Sequence, residues 1–271
     1  MRDMVRAAVK PVAAAVDRVR QPPPGVTVLI YHRVGAGTDS QVDLELGVFI
    51  DQMAELADSG RLMSLDDAVD LLVSGEQTDP DPVVITFDDG TPDVIDQALP
   101  VLQQYRVPMT LYLATGFVGG DVGFWSPDEP ALTWDALREA VSTGLVDIGS
   151  HTHSHKLLDR TEPESVVDEL ERSIDLIGSQ LGVEARHFAY PKAIPPSKPV
   201  DEAVRARFVS AALAGTKPNP WGQTDVHALA RSPIQRSDGM RWFRHKAVGG
   251  LGLEDRIRDL VNKRAYADAT R

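Results

Sequence analysis

The sequence predicts an α/β protein built on parallel strands, closed into a barrel or left as an open sheet. Three observations carry that prediction. First, Val83-Val84-Ile85 and the stretch Val26 to Tyr31 are short, largely apolar, β-branched runs with no polar alternation, the pattern of strands buried on both faces. Second, such runs alternate with helical stretches, and a strand–helix–strand order implies parallel pairing through right-handed crossovers. Third, the chemically active residues fall just past strand ends: Asp88-Asp89-Gly90 after the first run, and His151 to His155 after Leu145–Ile148. In α/β folds those ends share one side, and ligand sites form there.

Length and composition bound the rest. The chain has 271 residues, enough for one barrel-sized core or two small domains. Apolar residues make up 42% and charged residues 25%, ordinary for a globular protein in water. A net charge of −12 argues against wrapping nucleic acid or docking on an anionic membrane. The absence of cysteine excludes disulfides, a thiolate nucleophile and thiolate metal sites. Any metal must therefore use His, Asp or Glu. No run is long enough to span a bilayer.

In chain order, residues 1–20 read as an amphipathic helix interrupted near Pro11, lacking the continuous apolar core of a signal peptide. A peripheral helix, a loose arm and a membrane-surface contact are its three readings. Pro22-Pro23-Pro24-Gly25 stops it. Residues 1–25 are expected to form an N-terminal helical arm, and 26–271 the main domain. The strand 26–31 closes on His32, either a structural histidine or part of a pocket lining. Phe49, Met53, Leu56 and Ala57 share a helix face that ends at Gly60. Ser64 and Asp67 resemble an N-terminal cap for the next helix. After Gly90 a helix follows, with a kink or restart at Pro100, and then the strand Met109–Ala114. Residues 115–133 form a long loop whose Phe117, Phe124 and Trp125 either stack on sugar rings or anchor the core. Thr133 caps the helix Trp134–Ser142, and the strand Leu145–Ile148 follows Gly144. Farther on come a proline-rich loop over 193–199, a helix Asp201–Phe208, strands at Val209–Leu213 and Ala230–Ile234, and a solvated terminal helix over 253–265.

Two carboxylates at the end of a buried strand are costly unless something pairs them. In an extended strand His151, His153 and His155 share a face; in a turn entering a helix, His151 and His155 meet at i,i+4. Either way two imidazoles converge on the side that carries the acids. Two His and one Asp suit a divalent metal such as zinc and leave a position for water.

Thr86-Phe87-Asp88-Asp89-Gly90 and His151-Thr152-His153-Ser154-His155 resemble, in this order and spacing, the first two motifs of the polysaccharide deacetylase family. This is the NodB-homology or carbohydrate esterase family 4 domain, and the resemblance covers roughly residues 26 to 240. It implies an irregular, seven-stranded (β/α) barrel and metal-dependent removal of an N-acetyl group from a sugar of a polysaccharide or its precursor. It assigns Asp88 as catalytic base and Asp89, His151 and His155 as metal ligands, with zinc as the expected ion. His153 falls at the variable position. Phe188-Ala189-Tyr190-Pro191 matches one version of the third motif, but Lys192 and Ala193 replace its usual Tyr-Gly. The backbone N–H of Lys192 is then the oxyanion donor. Ala193 accepts a positive φ poorly. Ala189 stands where the family's arginine braces the base, with Arg186 as a substitute. The fourth motif has only Asp225 and Trp221 as candidates. The fifth has no match, leaving His32, His227 or His153 to protonate the leaving group; His32 is carried as the catalytic choice.

The resemblance leaves open an O-acetyl esterase, a small-amide hydrolase or a degenerate member that binds glycan without turnover. The partner it implies is an acetylated carbohydrate, and with no evident export signal the expected location is cytoplasmic.

Overall fold

Residues 2–254 are described by the structure, a computed structural model. The expected terminal helix over 253–265 falls almost wholly outside them. The elements run α1 (Arg2–Val19), β1 (Gly25–Tyr31), β2 (Arg33–Val34), β3 (Asp43–Leu44), α2 (Leu46–Asp58), α3 (Leu65–Ser74), β4 (Val83–Phe87) and α4 (Leu99–Tyr105). Then follow β5 (Met109–Leu113), α5 (Trp134–Ser142), β6 (Val146–Ser150), α6 (Pro163–Leu181), β7 (His187–Ala189), α7 (Lys198–Arg205), β8 (Ser210–Ala212), β9 (Asn219–Pro220), β10 (Arg231–Pro233) and α8 (Gly239–Ala247).

Seven parallel strands form one curled sheet in the order β10-β1-β4-β5-β6-β7-β8, with β9 antiparallel on β1. No regular ladder joins β10 to β8. The two edges are stitched instead by Leu229 N–H to Ala211 O, Leu213 N–H to Leu229 O and Gly215 N–H to Arg231 O. The expected irregular, seven-stranded α/β architecture is what the chain adopts. β1, β4 and β5 are buried along their whole length, as the unbroken apolar runs require. Alternate residues serve two cores. Leu29, Tyr31, Ile85 and Phe87 pack toward α2 and α4, while Val28, Val84, Tyr112, Ala189 and Ala212 fill the concave side. Leu65, Ala68, Val69 and Leu72 of α3 close the concave core at the N-terminal strand ends. The C-terminal ends stay open to loops.

Local signals account for several boundaries. Ser64 accepts from Asp67 N–H and Thr133 from Ala136 N–H, capping α3 and α5. Before Pro100 the helix takes one π-type turn over Val94–Ala98, which absorbs the missing proline donor. Three expectations shift. α1 runs unbroken through Pro11, because Lys10, Ala13 and Ala14 on either side are buried against the domain; the Lys10 ammonium pairs with Asp238, which also takes Lys246 at 2.8 Å. α7 begins at Lys198, where Ser197 sits at the cap and Pro199 fits the first turn, so the proline-rich loop is shorter than expected. β6 extends to Ser150, with Asp147 turned to solvent. No helix among the described residues is long and apolar enough to cross a membrane.

Candidate metal centre

Register places the acids. Val28 of β1 pairs with Val84 of β4 on one side and with Arg231 of β10 on the other, so the ends of all three strands converge. Asp88 continues the ladder by donating its N–H to Tyr31 O at 3.1 Å. The chain then turns sharply: Asp89 has φ 75° and Gly90 φ 86°. The positive φ of Gly90 favours glycine, and a Cβ there would also lie 2.4 Å from Leu113 Cδ1 and displace that side chain.

The histidine segment is neither extended nor helical. Thr152 (φ 66°) and His155 (φ 56°) are left-handed, and α6 begins only at Pro163. These two bends fold the segment back so that His151 and His155 face Asp89, with ring centroids 4.8 Å apart. His153 turns away to Thr115 Oγ1 at 3.0 Å. Glu169 of α6, itself buried, holds the bend in place. It accepts from Ser154 N–H at 2.7 Å and Ser154 Oγ at 2.6 Å, and Lys156 pairs with it at 3.2 Å.

One donor atom each from Asp89, His151 and His155 lies within 4.8 Å of the others. His151 Nε2 is 3.5 Å and His155 Nε2 3.7 Å from Asp89 Oδ1. His151 donates Nδ1–H to Ala189 O at 2.7 Å, which leaves the Nε2 lone pair aimed at the cluster. Burial lowers the His151 imidazole below its ordinary value. Burial above all, with the nearby Lys192 charge, takes His155 to about 3. Burial and the Asp88 charge raise the Asp89 carboxyl well above the usual carboxylate range. Two neutral imidazoles and a carboxylate lacking a counter-charge are a donor set for a divalent cation, and these residues form a divalent-metal site.

Asp88 is different. Arg231 grips both of its oxygens, Nη1 to Oδ1 at 2.6 Å and Nη2 to Oδ2 at 2.9 Å. Burial raises this carboxyl, but the Arg231 charge and its hydrogen bonds outweigh burial and hold it at about 2. Arg231 is 0% exposed, reaches Thr86 Oγ1 and Leu213 O, and lies against the Tyr112 ring at 4.9 Å. The brace expected at Arg186 is therefore Arg231. Arg186 pairs with Asp66 instead. The available signal was a charged residue inside a buried strand, which must find a counter-charge.

The loop over 115–133 crosses the centre. Phe124 packs edge-on to His155 at 4.9 Å and to Trp125 at 5.8 Å. Trp125 stands 6.4 Å from His32, ring centroid to ring centroid. The Nδ1 of His32 is buried and has no partner; burial lowers this imidazole to about 4, while the Asp88 charge pulls it up and the Arg231 charge pushes it down. Lys192 follows β7 with φ 57°, and Ala193 with φ 52°, so both sit in the left-handed region that glycine prefers. Lys192 Nζ lies 5.9 Å from the Trp125 ring centroid. The remaining candidates lie elsewhere: Asp225 pairs with Arg205, Trp221 donates to Asp81, and His227 bonds Phe208 O.

Residues 75–209 match the family model described as polysaccharide deacetylase. A chitooligosaccharide deacetylase of Bradyrhizobium sp. is 30% identical over 166 residues, covering 56% of this chain and 64% of that protein. A poly-beta-1,6-N-acetyl-D-glucosamine N-deacetylase of Staphylococcus aureus is 28% identical over 117 residues, 40% of this chain and 39% of that one. The matches thus span less than two thirds of the length of these curated relatives. Among solved structures, the Streptococcus pyogenes deacetylase PplD in complex with acetate superposes with a TM-score of 0.71 at 20% identity, covering 83% of this chain and 99% of that one. IcaB from Ammonifex degensii gives 0.71 at 23% identity, covering 82% and 98%. These two likenesses concern the fold.

Proposed function

The chain belongs to the polysaccharide deacetylase family, and from that premise we propose that it is a metal-dependent hydrolase that removes an N-acetyl group from a sugar of a polysaccharide or its precursor. The observation that carries this reading is the division of labour between adjacent acids: Asp89 faces two imidazoles, while Asp88, 3% exposed, is held ionised by Arg231.

Asp89, His151 and His155 would hold the ion, and an oxygen and nitrogen donor set without sulfur is compatible with zinc. When bound, such an ion polarises an acyl carbonyl and lowers the pKa of water. Asp88 takes the proton of the attacking water. Its low basicity is offset by position, since its carboxylate is fixed by two charge-assisted bonds and needs no reorganisation. Arg231 is a positioning residue that keeps Asp88 charged. The backbone N–H of Lys192 is the proposed oxyanion donor, on the turn that Lys192 and Ala193 hold at positive φ. The departing nitrogen needs a proton, and His32, neutral near pH 7 with an unpartnered Nδ1, takes up the one Asp88 removed from water and delivers it as an imidazolium. Trp125, partly exposed, presents the aromatic face on which a sugar ring stacks, with Phe124 edge-on beside it. A cytoplasmic location, with a precursor as substrate, belongs to this reading, and cell fractionation checks it.

Acetate release from N-acetylated and O-acetylated sugars by metal-stripped protein, with and without zinc, tests the reading beside a His155→Ala control. Zinc-restored release from the N-acetyl substrate, absent in the control, is expected. Release confined to the O-acetyl substrate would make the protein an esterase, and no release despite bound zinc would sink the hydrolase reading.

A further inference from the structure

The cations around the centre each meet a carboxylate, with one exception. Arg231 answers Asp88. Arg33, next to His32, answers Asp93 and Glu129. Asp89 faces the two imidazoles and the cation they would share. Lys192 is left over: among the described residues no carboxylate stands within ion-pair distance of its ammonium, whose recorded contact is the Trp125 ring at 5.9 Å. The chain has 40 acids against 28 lysines and arginines, so this is not for want of partners. Lys156 and Lys198 each have a glutamate, whereas Lys192, exposed beside the centre, has none among the described residues.

Its placement is constrained. The residue stands on the tight turn after β7 with φ 57°. Its charge is felt by Asp89, His32, His151 and His155. The contact with the indole is near the long limit of a cation–π interaction, so little is lost when the ammonium swings to another partner. Trp125 is 38% exposed, and the Lys192 ammonium lies over its ring. With a divalent ion on Asp89, two carboxylates would face two cationic side chains and a doubly charged ion. A neutral acetamide leaves that positive excess unanswered, whereas an anionic substituent offsets it.

Resting on the deacetylase reading, we propose that Lys192 selects substrates bearing an anionic group, a carboxylate or a phosphate, on or beside the acetylated sugar. The ammonium would leave the indole and form a charge-assisted hydrogen bond to that group while the sugar ring takes its place on Trp125. Lys192 thus contributes twice: its backbone to the oxyanion and its side chain to substrate choice.

The test is calorimetric binding of three ligands to the zinc-loaded full chain: N-acetylglucosamine, N-acetylglucosamine 1-phosphate and an N-acetylated glucosaminuronic acid. Wild type, Lys192→Gln and Lys192→Arg are compared. The quantity read is the ratio of Kd for each charged ligand to that for the neutral one. Wild type is expected to favour at least one charged ligand by about tenfold. Lys192→Arg keeps that ratio, Lys192→Gln brings it to within about twofold, and added salt shrinks it in wild type. Preference for the phosphate or for the uronic acid identifies which anion is read. No preference in wild type, including no binding at all, overturns the proposal. So does a preference that survives in Lys192→Gln, since the bound ion alone would then explain it. Acetate release measured on the same ligands separates the two readings. A Lys192-dependent preference without release sinks the deacetylase reading and upholds the anion site, whereas release without preference sinks only the anion site.

Discussion

Replacing Arg231 by methionine removes the partner of Asp88 and leaves a carboxylate stranded in the core. The pair is buried on both sides, at 0% and 3% exposure, and breaking such a pair from one side costs about 3–5 kcal/mol. Proton linkage gives a lower figure. The Asp88 carboxyl titrates at about 2 in the fold against an ordinary 3.8, and about 1.4 kcal/mol per unit makes that ~2.5 kcal/mol. Linkage counts only the preference for charge, whereas the larger figure includes the guanidinium's lost hydrogen bonds. The loss expected near pH 7 therefore lies between about 2 and 5 kcal/mol. The sign follows from the depressed value: this stability is complete above about pH 4 and disappears as pH falls through about 2. Urea unfolding of wild type, Arg231→Met and Arg231→Met/Asp88→Asn, near pH 7 and at steps down to about pH 2, reads all of this. The wild type should lose more stability across the acid window than Arg231→Met, and the double variant should be more stable than Arg231→Met by at least about 1 kcal/mol. A loss below about 1 kcal/mol in the single variant, or no recovery in the double, would refute the claim that Arg231 is what keeps Asp88 charged.

Other perturbations have equally definite outcomes. Ala193→Gly relieves a φ of 52° and should raise the urea midpoint by the equivalent of about 0.5–1 kcal/mol, the left-handed penalty less the glycine entropy. Glu169→Ala removes the clamp on Ser154 N–H and Oγ and should weaken zinc binding about 10–100-fold, read by chelator competition. His155→Ala should abolish the zinc-dependent rise in thermal stability, which for wild type at a hundredfold excess over Kd amounts to about 2.7 kcal/mol.

What the sequence made legible and what it hid follow from the range of the forces involved. Unbroken β-branched runs announced β1 and β4, because burial on both faces leaves no polar alternation. Asp88, Asp89, His151 and His155 were legible because each lies within a few residues of a strand end. Arg231 was not, because the register that sets it beside Val28 and brings its guanidinium to Asp88 joins segments more than 140 residues apart. The course of α1 through Pro11 was hidden for the same reason: local chemistry disfavours proline within a helix, and the burial of Lys10 against Asp238 overrides it. The fold-back at Thr152 and His155 depends on Glu169, which belongs to the following helix, so neither an extended nor a helical reading of the histidines anticipated it.

The separate duties of two adjacent acids are the centre of the account, and one comparison tests them directly: zinc stoichiometry and acetate release measured on Asp88→Asn. The expected result is about one zinc per chain with release lowered at least ~100-fold, the scale of a lost general base. Asp88→Asn protein that still releases acetate near the wild-type rate, or that no longer holds zinc, would contradict the assignment.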